Sequence, residues 1–507
     1  MSSARTADHP AARPTAGTAA NAAAHAADHP ADRPADRPDP VAARRPPSAV
    51  FALGGLFLAA LLASLGTSIA NVALPTLAQA FAAPFATVQW VVIAYLIAMT
   101  ALIVGAGRLG DRFGRGRMLL SGLALFAAAS LAAAAAPTLG LLIAARAAQG
   151  AGAAILMALS LALVRDSVPP DRIGTAMGLV GTLSAVGTAL GPSLGGLLIG
   201  QFGWRAVFVA PLPLALVAFG IGFRAWAAER RPAQVLPAPV GLAATVFLSV
   251  TLAAYAAAMT LGRDLFGPAG LALSALAAIG GAAFVRAERT AAVPLIAPAL
   301  VRDPILAGSL AANALVATIM MATLVVGPFY LSGALGLDAA RVGLIMSVGP
   351  VVSMATGILA GRLVDRRGAP AVMRTGLLLV AAGSAGLASL PLWFGTAGYI
   401  AAIAVLTPGY QLFQAANNTG VLAEVPSDRR GLVSGLLGLS RNLGLITGAA
   451  AMGAVFALAV KAGDMAGAAP AALGGGLAAT FGVAALLAGA ALAITIRSRR
   501  PDGSARG

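Results

Sequence analysis

The sequence predicts an all-α membrane protein of about fourteen transmembrane helices. Three observations carry that expectation. Of 507 residues, 59% are hydrophobic and only 10% charged, with a mean hydropathy of +0.87, whereas soluble domains run roughly 45–50% apolar and 25% charged. From Ser48 onward, apolar stretches of about 20–25 residues, long enough to cross a bilayer as helix, alternate with short charged or Pro/Gly-marked connections. Basic residues concentrate in every second connection, the asymmetry that fixes membrane topology.

Taken in order, the spans fall at approximately 49–74, 86–107, 118–136, 139–163, 173–200, 205–223, 239–262, 267–286, 305–331, 340–361, 371–390, 397–421, 431–458 and 473–496. Residues 1–47 precede them as a low-complexity tail of recurring Ala-Asp-His/Arg-Pro units, such as Ala27 to Pro30 and Ala31 to Pro34, too polar and Pro-rich to fold alone. Arg108, Arg112, Arg115 and Arg117 follow span two, and Arg362, Arg366, Arg367 and Arg374 follow span ten. The odd connections hold only Arg205, Arg263, Arg341 and Lys461. Even connections and both termini, including the short tail 498–507, are therefore expected in the cytoplasm. Trp90, Trp204, Trp226 and Trp393 fall near span ends, where an interfacial aromatic belt sits.

The net charge of +16 reports this topology, so no nucleic-acid partner is implied; the partners expected are the lipid bilayer and a small-molecule substrate. Cysteine is absent and the three histidines, His9, His25 and His29, all lie in the tail. No cofactor, metal site or thiol or imidazole catalytic centre is expected in the membrane, and the absence of a phosphate-binding loop argues against direct drive by ATP. A membrane enzyme would need a titratable or metal-binding cluster that these spans do not offer.

A repeat divides the chain. Gly107-Arg-Leu-Gly-Asp111-Arg-Phe-Gly114-Arg115 after span two returns as Gly361-Arg-Leu-Val-Asp365-Arg-Arg-Gly368 after span ten. Two six-helix halves, 48–225 and 291–497, with a helix pair inserted at 226–290, account for its position. This loop resembles the signature loop of the major facilitator superfamily. Asn71-Val-Ala-Leu-Pro75, Arg146-Ala-Ala-Gln-Gly150, Gly187-x-x-x-Gly191-Pro192-x-x-Gly195-Gly196, Gly203-Trp-Arg205 and Ser440-Arg-Asn-Leu-Gly444 are similar to the fourteen-span drug:proton antiporter family. The resemblance implies the major facilitator fold, a multidrug efflux antiporter in a bacterial inner or cytoplasmic membrane, and a monomer. It also implies alternating access about a midplane cavity lined by spans one, four, five and twelve. A facilitator or importer of a small organic anion on the same fold is the alternative.

By that resemblance Gly107, Arg108, Asp111, Arg112, Gly114 and Arg115, with Asp365 and Arg366 of the second copy, form a gate of carboxylate and guanidinium groups at helix ends. Simple topological anchoring by the arginines competes with it. Arg146, about 10 Å inside span four, needs a cavity or a partner, or must snorkel outward; the first of these is expected, with Gln149 on the same face. Gly187, Gly191 and Gly195 make a flat ridge around Pro192, which serves either packing or transport direction. Asn71, Gln411, Gln414 and Asn418 follow helical spacing, and Arg441 lies inside span thirteen; they are further cavity candidates, with interhelical hydrogen bonding as the competing role.

One departure from the family pattern matters. The aspartate it places before Asn-Val-Ala-Leu-Pro is Gly66 here, and every acid beyond the tail falls in a predicted loop, span end or terminus. With Arg146 and Arg441 inside spans, the cavity is expected to be electropositive and the cargo anionic or neutral amphipathic. Proton coupling stays open, with Asp111 or Glu424 as the groups left to titrate.

Overall fold

The computed structural model describes residues 49–168, 173–226, 242–261, 267–290, 303–423, 425, 430–460 and 468–498. The tail 1–47, Glu424 and residues 499–507 lie outside them. Among the described residues all regular structure is helical, as a bilayer demands of chains that must satisfy every backbone group internally.

Among the described residues eleven helices are long and apolar enough to cross a membrane. One of these, Ala369–Ala423, has 55 residues and a non-helical Gly395 (φ 52, ψ −126) within it, so it is two spans meeting at a turn that a side chain would strain. With Ala49–Ser68 and Ile173–Phe202, the described helices supply all fourteen spans. Boundaries agree with the hydropathy reading to a few residues, with two informative differences. Span one ends at Ser68, before a turn and a short helix, Leu74–Ala80. Span thirteen runs as Arg430–Thr447, a π-helical turn Gly448–Met452, and Gly453–Val460.

Several helix starts explain where the acids went. Asp303 accepts hydrogen bonds from the N–H groups of Ile305 (2.8 Å) and Leu306, with Pro304 in the first turn of span nine. Asp338 accepts from the N–H of Arg341 (2.8 Å) at the short helix Ala339–Met346 that leads into span ten, Val348–Arg367. Carboxylates at these positions satisfy orphan amides and the helix dipole.

Spans one to six pack on one another, with span four against spans one, two and three and span one against span five. Spans nine to fourteen make the second group, with span nine against thirteen and fourteen and span ten against the Ala369–Ala423 pair. The repeat is structural: Gly114 (φ 95) and Gly368 (φ 79) break the chain at equivalent points after spans two and ten. Two seams join the groups, span five on span ten and span two on span thirteen. Span seven, Leu242–Thr260, pairs with span eight, Pro268–Thr290, and lies against both members of the second seam.

Tyr255 of span seven donates a hydrogen bond to the Thr447 hydroxyl of span thirteen at 3.1 Å. A single neutral hydrogen bond contributes about 0.5–1.5 kcal/mol, so Tyr255→Phe should lower the melting temperature in detergent only slightly. A large drop in a thermal melt would show that this contact matters far more than its geometry suggests.

The tryptophans near the span ends differ in exposure. Trp393 is 82% exposed, but Trp204 and Trp226 are each 7% exposed. Trp204 packs beside Phe81 and Phe208, and Trp226 fills the space that Gly116 leaves open. Both indoles pack against protein.

Candidate functional site

The most elaborate polar arrangement centres on Arg146. Its side chain is completely buried, and it donates from Nε to the Val91 carbonyl of span two (2.9 Å), from one terminal nitrogen to the Gly66 carbonyl of span one (2.9 Å), and from the other to the Gln149 side-chain oxygen. Gln149 in turn donates to Ser130 of span three. The guanidinium carbon lies 4.3 Å from the centre of the Tyr95 ring, a cation–π contact, and the Tyr95 hydroxyl donates to the Ala63 carbonyl at 2.7 Å. Backbone carbonyls, an amide oxygen and a ring face thus take the place of a carboxylate counter-ion. They make a tie across spans one, two and four.

This corrects the expectation that Arg146 and Gln149 face an open cavity: both are enclosed. Asn71 is likewise buried and donates to the Thr67 and Ser68 carbonyls at 3.0 and 3.1 Å, closing the end of its own helix. Gly191 is where span five crosses span one. A Cβ there would lie 2.0 Å from the Ser68 hydroxyl oxygen and 2.8 Å from the Ile69 nitrogen. Gly187 and Gly195 meet span one in the same way, so the glycine ridge is a packing device within the first group.

The remaining cavity candidates behave differently. Asn418 and Arg441 are exposed and Gln411 and Gln414 half-buried. Gln411 donates to the Ser353 hydroxyl and carbonyl of span ten. Gln414 reaches the Tyr410 hydroxyl at 3.4 Å, while its own oxygen is buried without a partner. Beside it Asn417, which spacing alone did not single out, is fully buried with neither side-chain polar atom bonded. Its nearness to Gln414 on one helical face was the available signal.

At the end opposite the arginines, the two groups close on each other. Phe85 stands edge-on to Phe329 (centroids 4.6 Å, 87°) and 5.7 Å from Phe456. Gly196 of span five and Gly343 before span ten touch backbone to backbone: a Cβ on Gly196 would lie 2.4 Å from the Ala339 carbonyl, and one on Gly343 2.5 Å from the Pro192 carbonyl. At the arginine-bearing end, Asp111 pairs with Arg115 at 2.7 Å across the Gly114 break. Arg112 covers the Phe113 ring at 5.4 Å. The second copy has Ala369 where the first has Arg115, and Asp365, Arg362 and Arg366 are all exposed.

Two packed groups of membrane-length helices, joined at two seams and closed on each other at one end, are the architecture of a solute carrier, and similarity to known proteins names the family. Residues 56–449 match the Major Facilitator Superfamily. Identity is 32% over 420 residues with the multidrug efflux pump LfrA of Mycolicibacterium smegmatis, covering 82% of each chain. It is 32% over 394 residues with the uncharacterized transporter YebQ of Escherichia coli, covering 77% of this chain and 85% of that one. It is 27% over 413 residues with the riboflavin transporter RibZ of Clostridioides difficile, covering 78% and 86%. The solved xylose transporter XylE from E. coli matches with a TM-score of 0.60 at 13% identity, over 89% of this chain and 97% of that one. The chain belongs to the major facilitator superfamily; it is a multi-pass membrane transporter of small molecules and not an enzyme.

Proposed function

We propose that the protein is a secondary-active exporter of small amphipathic molecules that works by alternating access. The halves 48–225 and 291–497 rock about a central cavity, and the pair inserted at 226–290 flanks the seam between spans two and thirteen. The protein works as a monomer in a bacterial inner or cytoplasmic membrane with both termini in the cytoplasm. The observation that carries this reading is closure of one end: Phe85, Phe329 and Phe456 and the Gly196–Gly343 crossing seal the end opposite the arginines. That is the arrangement of an inward-facing state. Export as the direction is supported by the relatives named as efflux pumps.

Cargo preference follows from charge. Among the described residues no carboxylate pairs with Arg146, and Gly66, at the position where the resemblance places an aspartate, offers only its carbonyl. Arg441 lies exposed within span thirteen. Apart from Glu288, buried near the end of span eight, the acids with described side chains lie at exposed helix ends, and a path flanked by these guanidiniums favours anionic or neutral amphipathic solutes over lipophilic cations. The same missing acid supports a second reading, an uncoupled facilitator or importer of an organic anion.

Reconstitution into liposomes with an imposed pH gradient, and a panel of anionic, neutral and cationic solutes, tests both. The exporter reading expects accumulation that collapses with the gradient; flux that follows the solute gradient alone, in either direction, selects the facilitator. Gly66→Asp is expected to pair with Arg146 and raise cation flux. Its Cβ meets the Tyr95 hydroxyl at 2.8 Å, so the ring must shift to admit it. Strong cation transport by the wild type, unchanged in Gly66→Asp, would overturn the charge argument.

A further inference from the structure

We infer that the cleft between span ten and span twelve is a binding site for the cargo's anionic head, with Arg362 and Arg366 as its recognition groups; this rests on the exporter reading above and names the substrate class, an amphipathic organic anion. The cleft has a volume of about 410 Å³, within the range of drug-sized pockets, about 300–1,000 Å³. Leu359 and Leu363 of span ten and Pro408 and Leu412 of span twelve make its apolar walls, and Arg362 and Arg366 its charge.

Arg362 and Arg366 stand four residues apart, one helical turn, so they line the same side of span ten. Like charges at that spacing repel each other. Neither guanidinium makes an ion pair among the described residues, although Asp365 is their neighbour in the chain, and no carboxylate lines the cleft. The first copy of the repeat shows the contrast: there Asp111 is held at 2.7 Å by Arg115, the position that is Ala369 in the second copy. Anchoring the topology requires arginines at this end of the membrane. It does not require two of them, unpaired, inside an apolar cleft. A carboxylate or sulfonate accepting from both forks, with its apolar body against Leu359, Leu363 and Leu412, matches what the cleft presents. The cleft opens at the end that faces the cytoplasm in the exporter reading, where a cargo would first be met.

The test is equilibrium binding of radiolabelled naphthalene acetate to the full chain in phosphatidylcholine nanodiscs, against its neutral amide and a quaternary ammonium of the same size. The acid is expected to bind at least about tenfold more tightly than the amide, the size of a charge-assisted hydrogen bond. Arg362→Gln combined with Arg366→Gln should bring the acid down to the amide, while Arg362→Lys keeps most of the preference. Arg374→Gln removes a charge from the same end without touching the cleft and should keep all of it. Equal binding of acid and amide by the wild type would overturn the inference. So would an acid preference that survives the double variant, or one that vanishes when phosphatidylglycerol is added, since the last would assign the arginines to a lipid headgroup. Binding and flux separate the two claims: charge-selective binding in a protein that accumulates nothing under a pH gradient overturns the exporter and leaves this site standing.

Discussion

Arg146→Ala is expected to abolish solute flux in liposomes and to lower stability in detergent by about 2–5 kcal/mol. The guanidinium joins three helices at one point, and its removal leaves the Val91 and Gly66 carbonyls and the Gln149 oxygen without their donor. Each orphaned buried acceptor costs about 1–3 kcal/mol, and the vacated volume adds a cavity term. Against this, the variant no longer buries a cation lacking a carboxylate partner, and that relief offsets part of the loss. The acceptors outnumber the charge, so the balance is destabilising. Lysine keeps the charge but offers a point ammonium in place of a planar fork, so Arg146→Lys should fall between alanine and wild type in a thermal melt. The loss of flux has a separate cause. Alternating access needs spans one, two and four to move as a body, and Arg146 is the polar tie between them. An alanine variant with wild-type melting and wild-type flux would show that the tie is dispensable.

How much of this could be read from the chain depends on where the information sits. Span positions were legible because hydropathy and arginine placement are properties of residue identity, and the break at Gly395 falls in the gap expected between spans eleven and twelve. The repeat was legible too, and Gly114 and Gly368 share the backbone geometry their alignment implies. The surroundings of Arg146 were not, since two of its three acceptors are main-chain carbonyls, which every residue carries. Helical spacing put Asn71 among the cavity candidates, yet a short amide can turn back on its own helix as easily as outward, and Asn71 does so. Glycine spacing showed that span five makes a close contact. It could not show that one face meets span one through Gly187, Gly191 and Gly195 while the next, through Gly196, meets the chain before span ten.

That division of faces makes the last expectation specific. Gly343→Ala should drive the protein toward the state open at the end opposite the arginines. A methyl at Gly343 would lie 2.5 Å from the Pro192 carbonyl and 2.8 Å from the Gly196 Cα, well inside contact distance. Backbone cannot rotate away as a side chain would. Overpacking of this kind costs about 1–3 kcal/mol, and the cost is borne only while the two groups touch. Once their ends part it disappears, so the equilibrium should shift by roughly 5–150-fold. Gly191→Ala offers the contrast, because its clash with Ser68 and Ile69 lies within the first group and persists in both states; it should lower the melting temperature without changing the equilibrium. Gly200→Ala is the control, its Cβ meeting Ala340 at an ordinary 3.5 Å. Because the chain has no cysteine, Val342→Cys, only 2% exposed at the seal, can report the shift without background. A membrane-impermeant maleimide should label it in the Gly343→Ala protein and spare it in the Gly191→Ala and Gly200→Ala proteins. Equal labelling of all three would mean that the Gly196–Gly343 crossing does not hold this end shut.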